Sequence, residues 1–354
     1  MKQVDVIIIG QGLAGSLLAL ECIQRGFTVQ VLDNGQPGSS YAAAGLFNPI
    51  TGRKMVKTWK ADVLFDFLMH HYSAMESILN ATFFHNTPIF RPFVSVEEYN
   101  DWHGRWADPE FAPYIREVTS PRTFAQHCYD DFGGILLQKT GWVDLPKFLK
   151  AVRSWLKGQS SLTEADYQPE QLELDDNKVT YGELEGRWMV SCTGTQATKD
   201  NHWSWLPFRP VKGEVLELET QEDLPRIYNR GVFVLPTETN TVKVGSTYHH
   251  QELSLEPTER GKNELLEKLN ALLRVPFSIK AHWAGIRPAT KDRRPIIGQH
   301  PKHNALWICN GLGAKGVSLG PFFVKQLADA LFLGQSLWPE VDIQRFGTYY
   351  NVEM

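Results

Sequence analysis

Gly10-Gln11-Gly12-Leu13-Ala14-Gly15 has the residue types and spacing of a phosphate-binding turn. In such a run Gly10 permits a tight turn, Gly12 lets the backbone approach a pyrophosphate, and Gly15 allows a helix to lie close on a strand. Leu13 and Ala14 then open a helix whose N–H groups face the phosphates. Asp33, with Asn34 beside it, follows 18 residues after Gly15. A carboxylate there accepts bonds from ribose hydroxyls and repels a 2′-phosphate. The pattern predicts a site for the ADP half of a dinucleotide, disfavours NADP, and leaves FAD and NAD undecided. Two cations near the other end of the chain also have the setting of functional groups. Arg287 lies between Gly285 and Pro288, which biases its backbone to an extended form. Lys315 lies in the loop Gly311-Leu312-Gly313-Ala314-Lys315-Gly316, which leads into a helix whose N-terminus carries roughly half a positive charge.

These groups need elements to position them. Val4–Ile9 is a continuous apolar run, as in a strand buried on both faces of a parallel sheet. A helix over Ser16–Gln24 and a strand over Phe27–Leu32 complete a β-α-β unit. Helices are expected over Ala61–Leu79, Leu145–Leu156, Glu259–Leu273 and Ser318–Leu333, and strands over Arg187–Cys192 and Leu306–Asn310. Val211–Glu219 and Val232–Tyr248 alternate as in an antiparallel sheet. Pro88–Gly134 mixes aromatics, prolines and charges without helical period and reads as sheet-rich. The expected fold class is α/β plus antiparallel β: a Rossmann-like dinucleotide-binding domain over 1–80, 142–206 and 282–354. A discontinuous, mainly antiparallel substrate domain takes 81–141 and 207–281.

Composition sets the outer limits. The chain has 354 residues, 42% hydrophobic, with a net charge of −4. That fits an ordinary globular protein and argues against a dedicated nucleic-acid binder, which is usually strongly basic. No apolar stretch reaches the ~18 residues of a membrane span. Cys22, Cys128, Cys192 and Cys309 lie far apart with no CxxC, as in a reduced cytoplasmic protein with no zinc site. His70-His71 and His249-His250 read as solvated pairs.

Three further segments carry a resemblance: Ser39-Ser40-Tyr41-Ala42-Ala43-Ala44-Gly45-Leu46, Gly285-Ile286-Arg287-Pro288 with Pro295-Ile296-Ile297-Gly298, and the Gly311–Gly316 loop. Together they resemble the D-amino-acid oxidase family of FAD-dependent oxidoreductases, which includes glycine oxidase and sarcosine oxidase. Gly231–Pro236, Gly245-Ser246-Thr247-Tyr248 and Leu312–Gly316 are most similar to the C-terminal FAD domain of one member. That member is the bifunctional enzyme making 5-methylaminomethyl-2-thiouridine in tRNA. The resemblance is weak between residues 80 and 140.

It implies FAD as cofactor, with Gly10–Gly15 and Asp33 at its ADP half. Ser40, Ala43, Ala44 and Gly45 then line the pyrophosphate and isoalloxazine, and Thr193-Gly194 lies beside them. Gly285 and Arg287 fold against the flavin, and the helix after Gly316, with Lys315, faces its pyrimidine edge. FAD is expected to be non-covalent, because Ala42 stands where some relatives carry the attaching histidine. Arg287 grips a substrate carboxylate, Tyr248 covers the substrate, and Lys243 matches a lysine linked to oxygen activation. Phe233 stands where glycine oxidase has tyrosine, which argues against a glycine-like substrate. The implied reaction moves hydride from the α-carbon of an amine or amino acid, possibly an N-substituted glycine, to flavin N5. The resulting imine is hydrolysed, and O2 or another acceptor reoxidises the flavin. Alternatives are a tRNA wobble-uridine enzyme removing a carboxymethyl group, although tRNA is a disfavoured partner, and a flavin-binding protein without turnover.

Overall fold

Val6, Ile7 and Ile8 are fully buried, as an all-apolar strand must be when both its faces are covered. They belong to the strand Lys2–Ile9, which lies within a sheet of eight strands. Val29–Leu32 and Leu184–Ser191 flank it in parallel, and Leu306–Asn310 extends the parallel part beside Leu184–Ser191. The helices Leu13–Gln24 and Gly316–Leu333 pack together against this sheet. The helix Ala61–Leu79 docks on the second of them, and its Tyr72 hydroxyl donates to the Val317 carbonyl at 3.1 Å. The computed structural model describes residues 1–52, 54–175 and 177–350.

A second sheet of eight strands begins with Phe277–Arg287, Val211–Thr220, Thr241–Gly245 and Val232–Glu238, all antiparallel. It continues through Ile227–Arg230, Ile89–Pro92, Gly134–Leu137 and Ile115–Thr119. Segments on either side of residue 142 therefore share one sheet, as the discontinuous arrangement requires. The alternation of Val211–Thr220 sorts its faces. Leu216 and Leu218 pack with Leu265 and Leu269 of the helix Glu259–Asn270, while Gly213 and Val215 face the first sheet's loops across a cavity. The fold is the expected α/β plus antiparallel β.

Several expectations need correction. Leu13, not Ser16, begins the first helix. Phe277–Arg287 is one continuous strand of the second sheet, so the boundary drawn at 281/282 falls inside it. Val232–Tyr248 is two strands, joined through a turn between Glu238 and Thr241. The segment read as sheet-rich contains the helix Val96–Arg105. Its start is marked by Ser95, whose Oγ accepts from the Glu98 N–H at 3.3 Å, while Glu98 Oε2 accepts from the Val94 N–H at 2.9 Å. That is close to a capping box. His71 is not a solvated residue: it stacks on Phe67 at 5.2 Å, and burial lowers its pKa. Among the described residues no helix is long and apolar enough to cross a membrane, and no His/Cys/Asp/Glu group is arranged to hold a metal.

The cap gives a local test. Ser95→Ala removes one of the bonds that end the helix and should cost about 1 kcal/mol. In a chain of this size that lowers Tm by about 2 °C, read by differential scanning calorimetry, with no loss of bound cofactor.

Candidate active site

The parallel strands stop at Ile9, Leu32, Ser191 and Asn310, so the residues that follow them gather along one edge. This is where open α/β sheets bind ligands. Gly10 turns with φ +94°, and a Cβ on Gly15 would lie 1.9 Å from the Gly10 carbonyl oxygen. Neither position accepts a side chain, so the helix starts hard against the strand. Gly12 caps that helix without a side-chain bond, and Leu13 N–H donates to Ser40 Oγ at 3.1 Å. The helix Gly316–Leu333 likewise begins without a side-chain cap. Two helix N-termini whose N-cap residues make no side-chain bond thus border one cavity, a setting that favours anionic ligand groups.

Asp33 is more occupied than its position in the sequence suggests. Its Oδ2 accepts from the Gln11 N–H at 2.8 Å, and its Oδ1 from the Gly35 N–H and Arg153 Nη1, each at 2.8 Å. Arg153 also donates to Gln11 Oε1 at 3.1 Å and to Glu164 at 2.9 Å. A carboxylate offers about four acceptor positions, so Asp33 retains one for a ribose hydroxyl. Arg153, from the helix Leu145–Gly158, thus lines the cavity beside Asp33, a place that no local pattern in the sequence marks.

The cavity measures about 890 Å³ and runs from Asp33 to Arg287. Of the cofactor residues expected from sequence, Gly10, Gly12, Leu13, Ala14, Asp33, Asn34, Ser40, Ala43, Ala44 and Gly45 line it. So do Thr193, Gly194, Gly285, Arg287, Leu312, Gly313, Ala314, Lys315 and Gly316. Gly15 and Gly311 shape its walls from behind. Tyr248 and Lys243 lie outside the lining. The Tyr248 ring is 48% exposed and 5.8 Å from the Arg287 guanidinium, and Lys243 Nζ lies 5.9 Å from the Trp283 ring.

At the Arg287 end the geometry is unusual. Arg287 stands opposite Val211, and its guanidinium reaches across the neighbouring strand above Gly213. A Cβ on Gly213 would lie 2.0 Å from Nη2, so only glycine leaves this path open. Beyond it, Nη2 donates to Ser246 Oγ at 2.6 Å and Nη1 to the Thr247 carbonyl at 3.3 Å. Among the described residues no carboxylate pairs with Arg287, because Asp292, the nearest acid in sequence, binds Arg345 at 3.0 Å. Burial lowers the Arg287 pKa. Lys315 is a further cation of the cavity, which Arg153 and Lys199 also line. Its Nζ lies 3.3 Å from Thr58 Oγ1 and 3.4 Å from Thr51 Oγ1, and its pKa is lowered by burial and then by Arg294 and Arg293. Gly213 carried a weak signal in the sequence, a glycine interrupting an alternating strand. Ser246 and Thr247 lie in a segment that carries the family resemblance, but nothing in the sequence pairs them with Arg287.

A parallel dinucleotide sheet facing an antiparallel sheet across one cavity defines a dinucleotide-dependent redox protein. The profile of the FAD dependent oxidoreductase family matches residues 5–330, and the chain belongs to that family. Its cofactor is FAD, and the uncapped helix starts, the glycine turn and the Asp33 end fit that extended anionic molecule. Glycine oxidase of Pseudomonas aeruginosa is 24% identical over 361 residues, covering 92% of this chain and 94% of that protein. The tRNA 5-methylaminomethyl-2-thiouridine biosynthesis bifunctional protein of Legionella pneumophila is 23% identical, covering 96% of this chain and 56% of that protein. Glycine oxidase from Bacillus cereus has the same fold, with a TM-score of 0.80 at 19% identity over 94% of this chain and 96% of that one.

The crossing at Gly213 makes a prediction. Gly213→Ala forces the guanidinium off Ser246 and Thr247, and should destabilise the protein by about 1–3 kcal/mol through overpacking and lost charged bonds. Denaturant unfolding followed by tryptophan fluorescence measures this, and the purified variant should still carry FAD. A neutral substitution would show that Arg287 takes another path.

Proposed function

We propose that the chain oxidises the carbon beside the nitrogen of an amino acid or N-substituted glycine. The observation that carries this reading is Arg287, a guanidinium lining the FAD cavity with hydroxyl and carbonyl partners but no carboxylate. A charge held from water without a counterion costs on the order of several kcal/mol, and a ligand carboxylate relieves that cost. The guanidinium fork binds a carboxylate through two parallel bonds, which fixes direction as well as position.

Bound in this cavity, FAD supplies a two-electron acceptor for hydride from a carbon that bears nitrogen. The chain's own residues orient and enclose. Arg287 anchors one end of the substrate, and Phe47, Val215 and Phe233 give that end of the cavity an apolar lining that keeps water out. Phe233 offers no hydroxyl, so the substrate's nitrogen end meets carbon there, which favours a substituted amine over glycine. Lys315 and the N-terminus of the helix Gly316–Leu333 bring positive potential to the cavity wall, which would stabilise negative charge on FAD held against them. No side chain is needed as a base when the amine is neutral, so catalysis here is positioning and desolvation.

The finer assignments follow from the same groups. With Lys243 outside the lining, an oxygen-activating charge would be Lys315, and O2 is the acceptor we favour. The tRNA reading has the likeness to the bifunctional tRNA-modifying protein in its support, but the chain's net charge of −4 and its lack of a basic run disfavour it. All four cysteines are buried free thiols, in keeping with a cytoplasmic location.

Anaerobic flavin bleaching tests the proposal. Amino acids and N-substituted glycines should reduce the bound FAD at least about tenfold faster, at equal concentration, than the same amines without the carboxylate. Equal rates with and without the carboxylate would contradict it.

A further inference from the structure

Behind the residues that face the cavity, the strand Val211–Thr220 carries two charged side chains with no exposure at all. Lys212 and Glu214 are both 0% exposed, with Nζ and Oε1 3.9 Å apart. They point away from the cavity that Gly213 and Val215 line, so they do not touch bound ligand. Charges taken wholly out of water persist only when other groups satisfy them.

The groups that satisfy them come mainly from one segment, 246–258. Lys212 Nζ donates to the Glu252 carboxylate, to Ser254 Oγ at 3.3 Å and to the Glu256 carbonyl. Glu214 accepts from the Thr258 N–H at 2.9 Å and the Thr258 hydroxyl at 2.8 Å, and His282 Nε2 lies 2.9 Å from it. The backbone adds to this. Lys212 and His249 exchange N–H···O bonds of 2.8 and 3.0 Å, and the Glu214 N–H donates to Thr247 Oγ1 at 2.9 Å. No apolar packing competes with these bonds, because residues 251–257 are all exposed, Leu253 at 39% and Leu255 at 61%. His249 and His250 have further partners in Glu264 and the Pro210 carbonyl, whereas residues 252–256 are tied to the sheet chiefly through the buried ammonium.

The same segment begins with Ser246 and Thr247, the residues that hold the Arg287 guanidinium. We propose that Lys212 and Glu214 form a clamp behind the sheet that positions Arg287 in front of it, and so sets the affinity for carboxylate substrates. The two are positioning residues. The path runs from the buried pair through segment 246–258 to the Ser246 hydroxyl and Thr247 carbonyl, and from these to the guanidinium. The Glu252 carboxyl is held down at about 2 by the Lys212 bond, so the outer half of the clamp stays ionised at any working pH.

The inference rests on Arg287 receiving the substrate carboxylate. Two variants test it in the FAD-loaded protein: Lys212→Met, which removes the buried ammonium, and Glu252→Gln, which weakens the clamp from its solvent side and leaves the core intact. In each, KM for a carboxylate substrate should rise about tenfold with kcat little changed, the pattern of lost binding without lost chemistry. Limited proteolysis within 250–257 should also become faster, while FAD content stays that of the wild type. An unchanged KM in Glu252→Gln would overturn the clamp, as would a loss confined to kcat. Failure of the carboxylate reading itself shows separately, in wild-type protein that oxidises amines with and without a carboxylate equally well.

Discussion

A guanidinium that crosses a strand over a glycine, and ends in a cavity with no carboxylate partner among the described residues, is the constraint on which this structure turns. Arg287 holds that position only if Gly213 lacks a side chain and Ser246 and Thr247 supply oxygen on the far side. Those demands fix the pairing of Phe277–Arg287 with Val211–Thr220, since a slip of one residue would turn Arg287 to the other face. The sheet register therefore also sets where the Arg287 guanidinium enters the cavity.

The first sheet meets the same cavity by a different logic. Its strands end together, and their loops present backbone N–H groups and small residues in place of charged side chains. The two helix starts are assembled from opposite ends of the chain, residues 13 and 316, because Leu13–Gln24 and Gly316–Leu333 pack side by side. Charge in the cavity is thus divided. Partial positive charges and Lys315 lie on the side of the first sheet's loops, and in the reading proposed above the guanidinium at the far end is left for a ligand.

How much of this is legible in the sequence follows from how far apart the cooperating residues lie. The glycine turn, its helix and Asp33 span about thirty residues and announce themselves by local pattern. Arg287 and Lys315 stand out through their glycine and proline neighbours. The helix Val96–Arg105 was legible in principle from Ser95 and Glu98, but the aromatic and charged residues around them obscure its period. Gly213, Ser246, Arg153 and the buried Lys212–Glu214 pair are another matter. Each matters through a partner 30 to 140 residues away, and only strand register or helix packing brings the two together. Tyr248 and Lys243 differ in the opposite sense: family likeness brings them near, while the chain after Gly245 places Tyr248 half-exposed beside Arg287, and Lys243 lies beside Trp283.

Arg287, as the proposed carboxylate receptor of the FAD cavity, is open to direct titration. The bound flavin's absorption spectrum is followed as an unreactive monocarboxylate is added, in wild type and in Arg287→Lys. We expect a saturable spectral shift in the wild type, with Kd raised by about tenfold or more in the variant, because lysine keeps the charge but loses the paired bonds. Equal Kd values in the two proteins, with FAD fully bound in both, would contradict it.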